Sequence, residues 1–163
     1  MKIVIFGYGN TLCSDDGLGY QAAELLAGRI SNPAVEIVAC QQLSPELVEN
    51  LRLAGLAIFI DSNCYGAPGE LSCCPVSADD GLPGGITHQF QPGALLAMCK
   101  AFYGDCPPAY LYSVGAASFD LGESLTPAVQ AALPELLSRV EARIHGLETE
   151  AQSATLSDGE GRL

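Results

Sequence analysis

Three acidic or imidazole side chains stand where a folded chain could bring them together: Asp16, beside Asp15, then Asp61 and His88. Carboxylate oxygens and an imidazole nitrogen form a hard-to-borderline donor set that suits zinc, nickel or iron. The same groups can accept and return protons. No two of them share a short ligand motif, so each also has a plainer reading. Asp15 and Asp16 can cap a helix and complement its dipole. One aspartate suffices for a cap, which leaves the second free to face a crevice. Asp61 follows five apolar residues, and a carboxylate there needs either backbone amides to turn the chain or a site to serve. His88 lies between Gly84-Gly85 and Pro92, where a loop histidine is as readily structural as functional. His145, the second histidine, falls near the end of the last expected helix, a place for a dipole or solvent role.

The acids follow Gly7-Tyr8-Gly9-Asn10, which imitates the start of a dinucleotide-binding turn. The match fails twice. Leu12 stands where the third glycine belongs, and Cys40-Gln41-Gln42 offers no acid for a ribose hydroxyl. Asp15 and Asp16 would also repel a phosphate.

These residues sit between elements that the pattern of apolar residues predicts. A β-branched and aromatic run, 3–6, reads as a strand buried on both faces, broken by Gly7-Tyr8-Gly9-Asn10. A helix follows with Leu18, Ala22, Leu25, Leu26 and Ile30 on one face. Strand 35–39 comes next. A helix then opens at Ser44-Pro45-Glu46 and closes at Gly55. Strand 56–60 runs into Asp61, so that acid is expected at a strand's carboxyl end. Residues 71–76 form an edge strand, because Pro75 cannot donate to a ladder on both sides. After a Gly/Pro/Asp loop over 79–85, a helix starts at Pro92-Gly93 and stops at Gly104. Strand 109–114 precedes a long helix from Thr126-Pro127 to Ile144. Strands alternating with helices predict a three-layer α/β/α domain over 1–145, built on a mostly parallel five-stranded sheet. Residues 146–163 read as a polar C-terminal tail. The crevice of such sheets lies at the carboxyl ends of the strands.

Bulk properties narrow the function. The chain has 163 residues, 48% of them hydrophobic and 16% charged, which excludes a disordered or coiled-coil protein. A net charge of −12 opposes nucleic acid and anionic membranes and favours a basic segment or a metal cation. No apolar run approaches a membrane span, and the apolar start is too short for a signal peptide, so a cytoplasmic protein is expected. Seven cysteines, an odd number without a Cys-x-x-Cys pair, are expected to be reduced and mostly buried.

The ordered string of motifs resembles the [NiFe]-hydrogenase maturation endopeptidases, which process the C-terminus of the hydrogenase large subunit. It comprises Gly7-x-Gly9-Asn10-x-Leu12-x-x-Asp15-Asp16-Gly17-x-Gly19, Gln42-Leu43-x-Pro45-Glu46-Leu47, Ile60-Asp61, Pro68-Gly69, Thr87-His88, Ser113-Val114-Gly115 and Phe119-Asp120-x-Gly122-Glu123-x-Leu125-Thr126. The resemblance implies an endopeptidase that removes a C-terminal extension from the large-subunit precursor after nickel is inserted. It implies that nickel carried by the substrate is the recognition element, and that Asp16, Asp61 and His88 are the nickel-contacting and catalytic residues. Asp15 matches a neighbouring acid of structural role. Two other functions remain open: a cysteine hydrolase using Cys13 and His88, and a non-catalytic chaperone of the hydrogenase metal centre. For the thiol, a helix start favours thiolate but two nearby aspartates oppose it.

Overall fold

The computed structural model describes residues 1–78 and 90–160, with 147–160 as backbone only. His88 and the expected loop over 79–85 therefore lie outside the described residues. The elements run β1 (Lys2–Tyr8), α1 (Leu18–Arg29), β2 (Val35–Cys40), α2 (Val48–Leu51), β3 (Ala54–Asn63), β4 (Leu71–Val76), α3 (Pro92–Tyr103), β5 (Ala109–Gly115) and α4 (Pro127–Glu160). The five strands form one sheet in the order β2-β1-β3-β5-β4. All neighbours pair in parallel except β4, which runs antiparallel to β5 at the edge.

Alternation along the strands divides the core into two layers. Ile3, Ile5, Ile58, Ile60 and Val114 face α1 and α4. Val4, Phe6, Phe59 and Ala109 face the other way, onto Val48 and Leu51 of α2 and Leu95, Leu96 and Cys99 of α3. Phe6 and Phe59 stack in that second layer with ring centroids 5.2 Å apart. The three-layer α/β/α architecture is thus as the strand and helix patterns predict. Connections leave the sheet on opposite faces on either side of β1, so a crevice opens where β1 and β3 end.

Four local expectations change. β1 continues through Gly7 and Tyr8 instead of breaking there. A side chain at Gly7 would overlap the Gly19 carbonyl and the Ala23 methyl, so this glycine lets α1 rest directly on the strand. The helix expected from Pro45 to Gly55 is a 3-10 turn over Pro45–Leu47 and a single α-helical turn over Val48–Leu51. Ala54 has already joined the sheet, pairing with Lys2. β3 extends to Asn63, so Asp61 lies inside the strand rather than at its end. The cysteines are free as expected, but only Cys99 is buried; Cys64, Cys73 and Cys74 are exposed. Cys73 and Cys74 sit on strand β4, which no further strand among the described residues covers.

Among the described side chains the apolar stripe of α4 runs to Ile144, and the helix backbone continues to Glu160. His145 lies within that helix beside Arg29–Asn32, at the amino ends of the strands. No helix among the described residues is long and apolar enough to cross a membrane.

Candidate active site

Two elements deliver the acids to the crevice. After Tyr8 the chain turns through Gly9, whose φ of 145° belongs to the glycine-favouring region and whose missing side chain makes room for the Asp16 backbone. Asn10 reinforces the turn: its side-chain oxygen accepts from the Leu12 N–H at 2.9 Å. Ser14 then adopts φ 52°, a left-handed conformation unusual for a residue with a side chain. It is held there by two bonds to the 120–122 segment, its N–H to the Gly122 carbonyl at 2.8 Å and its hydroxyl to the Asp120 carbonyl at 2.7 Å. The 3-10 turn over Ser14–Gly17 carries both acids in front of α1.

Neither acid caps α1. Asp15 is fully buried and points to the far loop. Its carboxylate accepts from the N–H groups of Ala117, Ser118 and Thr126 at 2.8–3.1 Å and from the Thr126 hydroxyl. Burial alone would raise its pKa, but these donors outweigh it and hold the carboxyl below its usual value. Thr126, the residue before α4, spends its hydroxyl on Asp15. Asp16 turns the other way, accepts from the Asn10 N–H at 2.8 Å and lines the crevice.

Asp61 arrives on β3. Pairing with β1 ends at Gly7 and Ile60, whereas pairing with β5 continues through Asp61, Ser62 and Asn63. The Asp61 carboxylate accepts the Ser62 N–H at 2.7 Å. Burial pushes its pKa up to about 7, and the Asp16 charge adds to the rise. The Ser62 amide and the Tyr8 hydroxyl pull the other way.

Asp16 and Asp61 share a cleft of about 530 Å³, open to solvent, with Tyr8, Cys13, Gln91 and Ser113 among its other walls. A smaller hollow beyond them is bounded by the same two acids together with Tyr8 and Gln91. Deeper along β3, Asn63 donates to the Ser113 hydroxyl at 2.9 Å, which in turn bonds Ser72 at 2.8 Å. Neither Lys nor Arg is among the described lining residues, so the cleft attracts cationic centres. A carboxyl that titrates near neutrality, facing a cleft, can accept a proton from water and return it to a leaving group.

The structure thus brings Asp16 and Asp61 together, while His88 lies outside the described residues. Among the described residues no group of three His, Cys, Asp or Glu side chains could hold a metal ion. Two carboxylates are too few for a closed site but fit a metal that arrives with other ligands. Cys13 shares the cleft; its suggested partner, His88, lies outside the described residues. Sequence reading missed Tyr8, Gln91, Asn63 and Ser113. Tyr8 was signalled only by its place two residues after Phe6, on the same strand face.

No family model matches the sequence, and no curated protein matches it. Solved structures do. The hydrogenase maturating endopeptidase HybD from E. coli superposes with a TM-score of 0.75 at 26% identity, over 90% of this chain and 93% of that one. A solution structure of an endopeptidase from Escherichia coli gives 0.69 at 26% identity, over 87% and 91%. The [NiFe] hydrogenase maturation protease HycI from Thermococcus kodakarensis shares the fold at 0.70 and 23% identity, over 85% and 89%. In fold, and over most of its length, this chain is a structural relative of the hydrogenase maturation endopeptidases.

Proposed function

We propose that this protein is a cytoplasmic endopeptidase that removes the C-terminal extension of a [NiFe]-hydrogenase large-subunit precursor after nickel insertion. Neither nucleic acid nor membrane is its partner. The observation that carries the reading is the meeting of Asp16 and Asp61 in one cleft, on a fold shared with hydrogenase maturation endopeptidases.

Nickel enters this reaction as part of the substrate. We assign Asp16, Asp61 and His88 to contact the nickel centre of the precursor, which explains how an open pair of carboxylates recognises only the loaded form. Asp61, poised near neutrality before substrate arrives, takes a proton as the water oxygen bonds to the scissile carbonyl carbon. The tetrahedral oxyanion collapses, the C–N bond breaks, and the proton on Asp61 passes to the leaving amine.

The test mixes purified protein with nickel-loaded and nickel-free precursor and follows precursor mass. Shortening of the loaded form alone is expected. Equal cutting of both removes the role of nickel, and binding without cutting makes the protein a chaperone. The presence of Cys13 in the cleft keeps a thiol mechanism in view; loss of cutting after alkylation would favour it.

A further inference from the structure

Phe6 and Phe59 pair across β1 and β3 and stack in the layer facing α2 and α3. Two residues further along each strand, on the same face, stand Tyr8 and Asp61. Tyr8 is only 8% exposed, and among the described residues no hydrogen bond of ordinary length and angle reaches its hydroxyl. It nevertheless faces the Asp61 carboxylate, and it lines both the main cleft and the smaller hollow beside the two acids. A phenylalanine here would continue the apolar layer below it and avoid burying an unmatched donor. Packing therefore explains the ring of Tyr8 but not its hydroxyl.

Asp61 supplies the missing reason. Among the described residues the Asp61 carboxylate has one backbone hydrogen bond, from the Ser62 N–H to a single oxygen. A second donor fixes the plane and still leaves an oxygen lone pair open to the cleft. We infer that Tyr8 is a positioning residue for hydrolysis: its phenol donates to the Asp61 carboxylate and holds the opposite lone pair toward the attacking water. This rests on the peptidase reading. Hydrogen bonds of this kind are often long before substrate seats and tighten in the complex. Outer partners that orient a functional carboxylate are typically worth about 10- to 100-fold in activity.

The test is Tyr8→Phe, which keeps the ring and removes the donor. With nickel-loaded precursor, kcat is expected to fall about 10- to 100-fold with KM within about twofold, while the melting temperature stays level or rises. A kcat within about twofold of wild type overturns the inference. So does a melting temperature that falls together with kcat, the mark of a merely structural tyrosine. A second measurement needs no cutting: with tyrosine labelled by 13C at Cζ, the Tyr8 resonance should move in Asp61→Asn while the other tyrosines hold still. A wild type that cuts neither precursor, with Tyr8 still responding to Asp61, defeats the peptidase reading and leaves the contact standing. An unresponsive Tyr8 in a protein that cuts normally defeats the inference alone.

Discussion

Asp15 and Asp61 are two carboxylates at the same end of one sheet, and they have opposite fates. Asp15 has no exposed surface and is surrounded by four donor groups from the 117–126 loop. Asp61 is half-buried, receives one backbone N–H among the described residues, and faces the charge of Asp16. The first is held ionised below its usual range, and the second is pushed up to about 7. Burial is common to both; the supply of donors differs. A carboxylate with its lone pairs filled becomes a rivet, and one with lone pairs to spare keeps its chemistry.

The sharpest way to break this contrast is Asp61→Asn. If Asp61 is the proton acceptor, cutting of nickel-loaded precursor should fall at least about a thousandfold, or about 4 kcal/mol of barrier. The same substitution tests the pKa without any substrate. Asp61 binds its proton more tightly in the folded chain than in the unfolded one, so it makes stability decline as pH rises from about 4 to about 7. Urea midpoints at pH 5 and pH 8 should therefore show a smaller fall in Asp61→Asn than in wild type. Equal falls would remove the raised pKa from the account.

Asp15→Ala should act on stability instead. Hydrogen bonds to a charged group are worth roughly 1.5–3 kcal/mol each, and truncation strands several N–H groups, so a loss of about 3 kcal/mol or more is expected by urea denaturation. The sign of its pH dependence is reversed: Asp15 stabilises above its ordinary pKa of 3.8 and loses that effect as pH falls below it. A loss under about 0.5 kcal/mol would mean that the loop is held by its backbone pairing with Leu12, Ser14 and Asp15. The smallest effect is reserved for Cys13→Ala, which should leave cutting within about twofold of wild type. A tenfold loss with folding intact would transfer the nucleophile to the thiol.

Much of this was legible from residue patterns. The β-branched runs at 3–6 and 56–60 and the apolar spacing of α1, α3 and α4 specify the layered sheet, because burial on both strand faces leaves few polar positions to misplace. The pairing of Asp16 with Asp61 follows from the carboxyl-end rule. What failed needed three dimensions. Gly7 reads as a strand breaker until α1 is seen resting on it. Ala54 and Gly55 read as a helix end until Lys2 is seen pairing with Ala54. Asp15 and Asp16 are adjacent and identical in type; only the position of the 117–126 loop decides which is the rivet. Tyr8 lies inside the glycine-rich string Gly7-Tyr8-Gly9, and its place beside Asp61 depends on the pairing of β1 with β3.

The contact between Gly7 and Gly19 has a mechanical consequence. A side chain at Gly19 would overlap the Tyr8 and Ile60 carbonyl oxygens, just as one at Gly7 would overlap Gly19. Helix and strand are thus separated by backbone thickness alone, with no deformable side chain as a cushion. The 3-10 turn bearing Asp16 abuts the first residue of that helix. The gap between Asp16 on its turn and Asp61 on its strand is therefore gauged by two hydrogen atoms, and one added methyl group would work as a shim, tilting the helix and widening the jaws of the cleft.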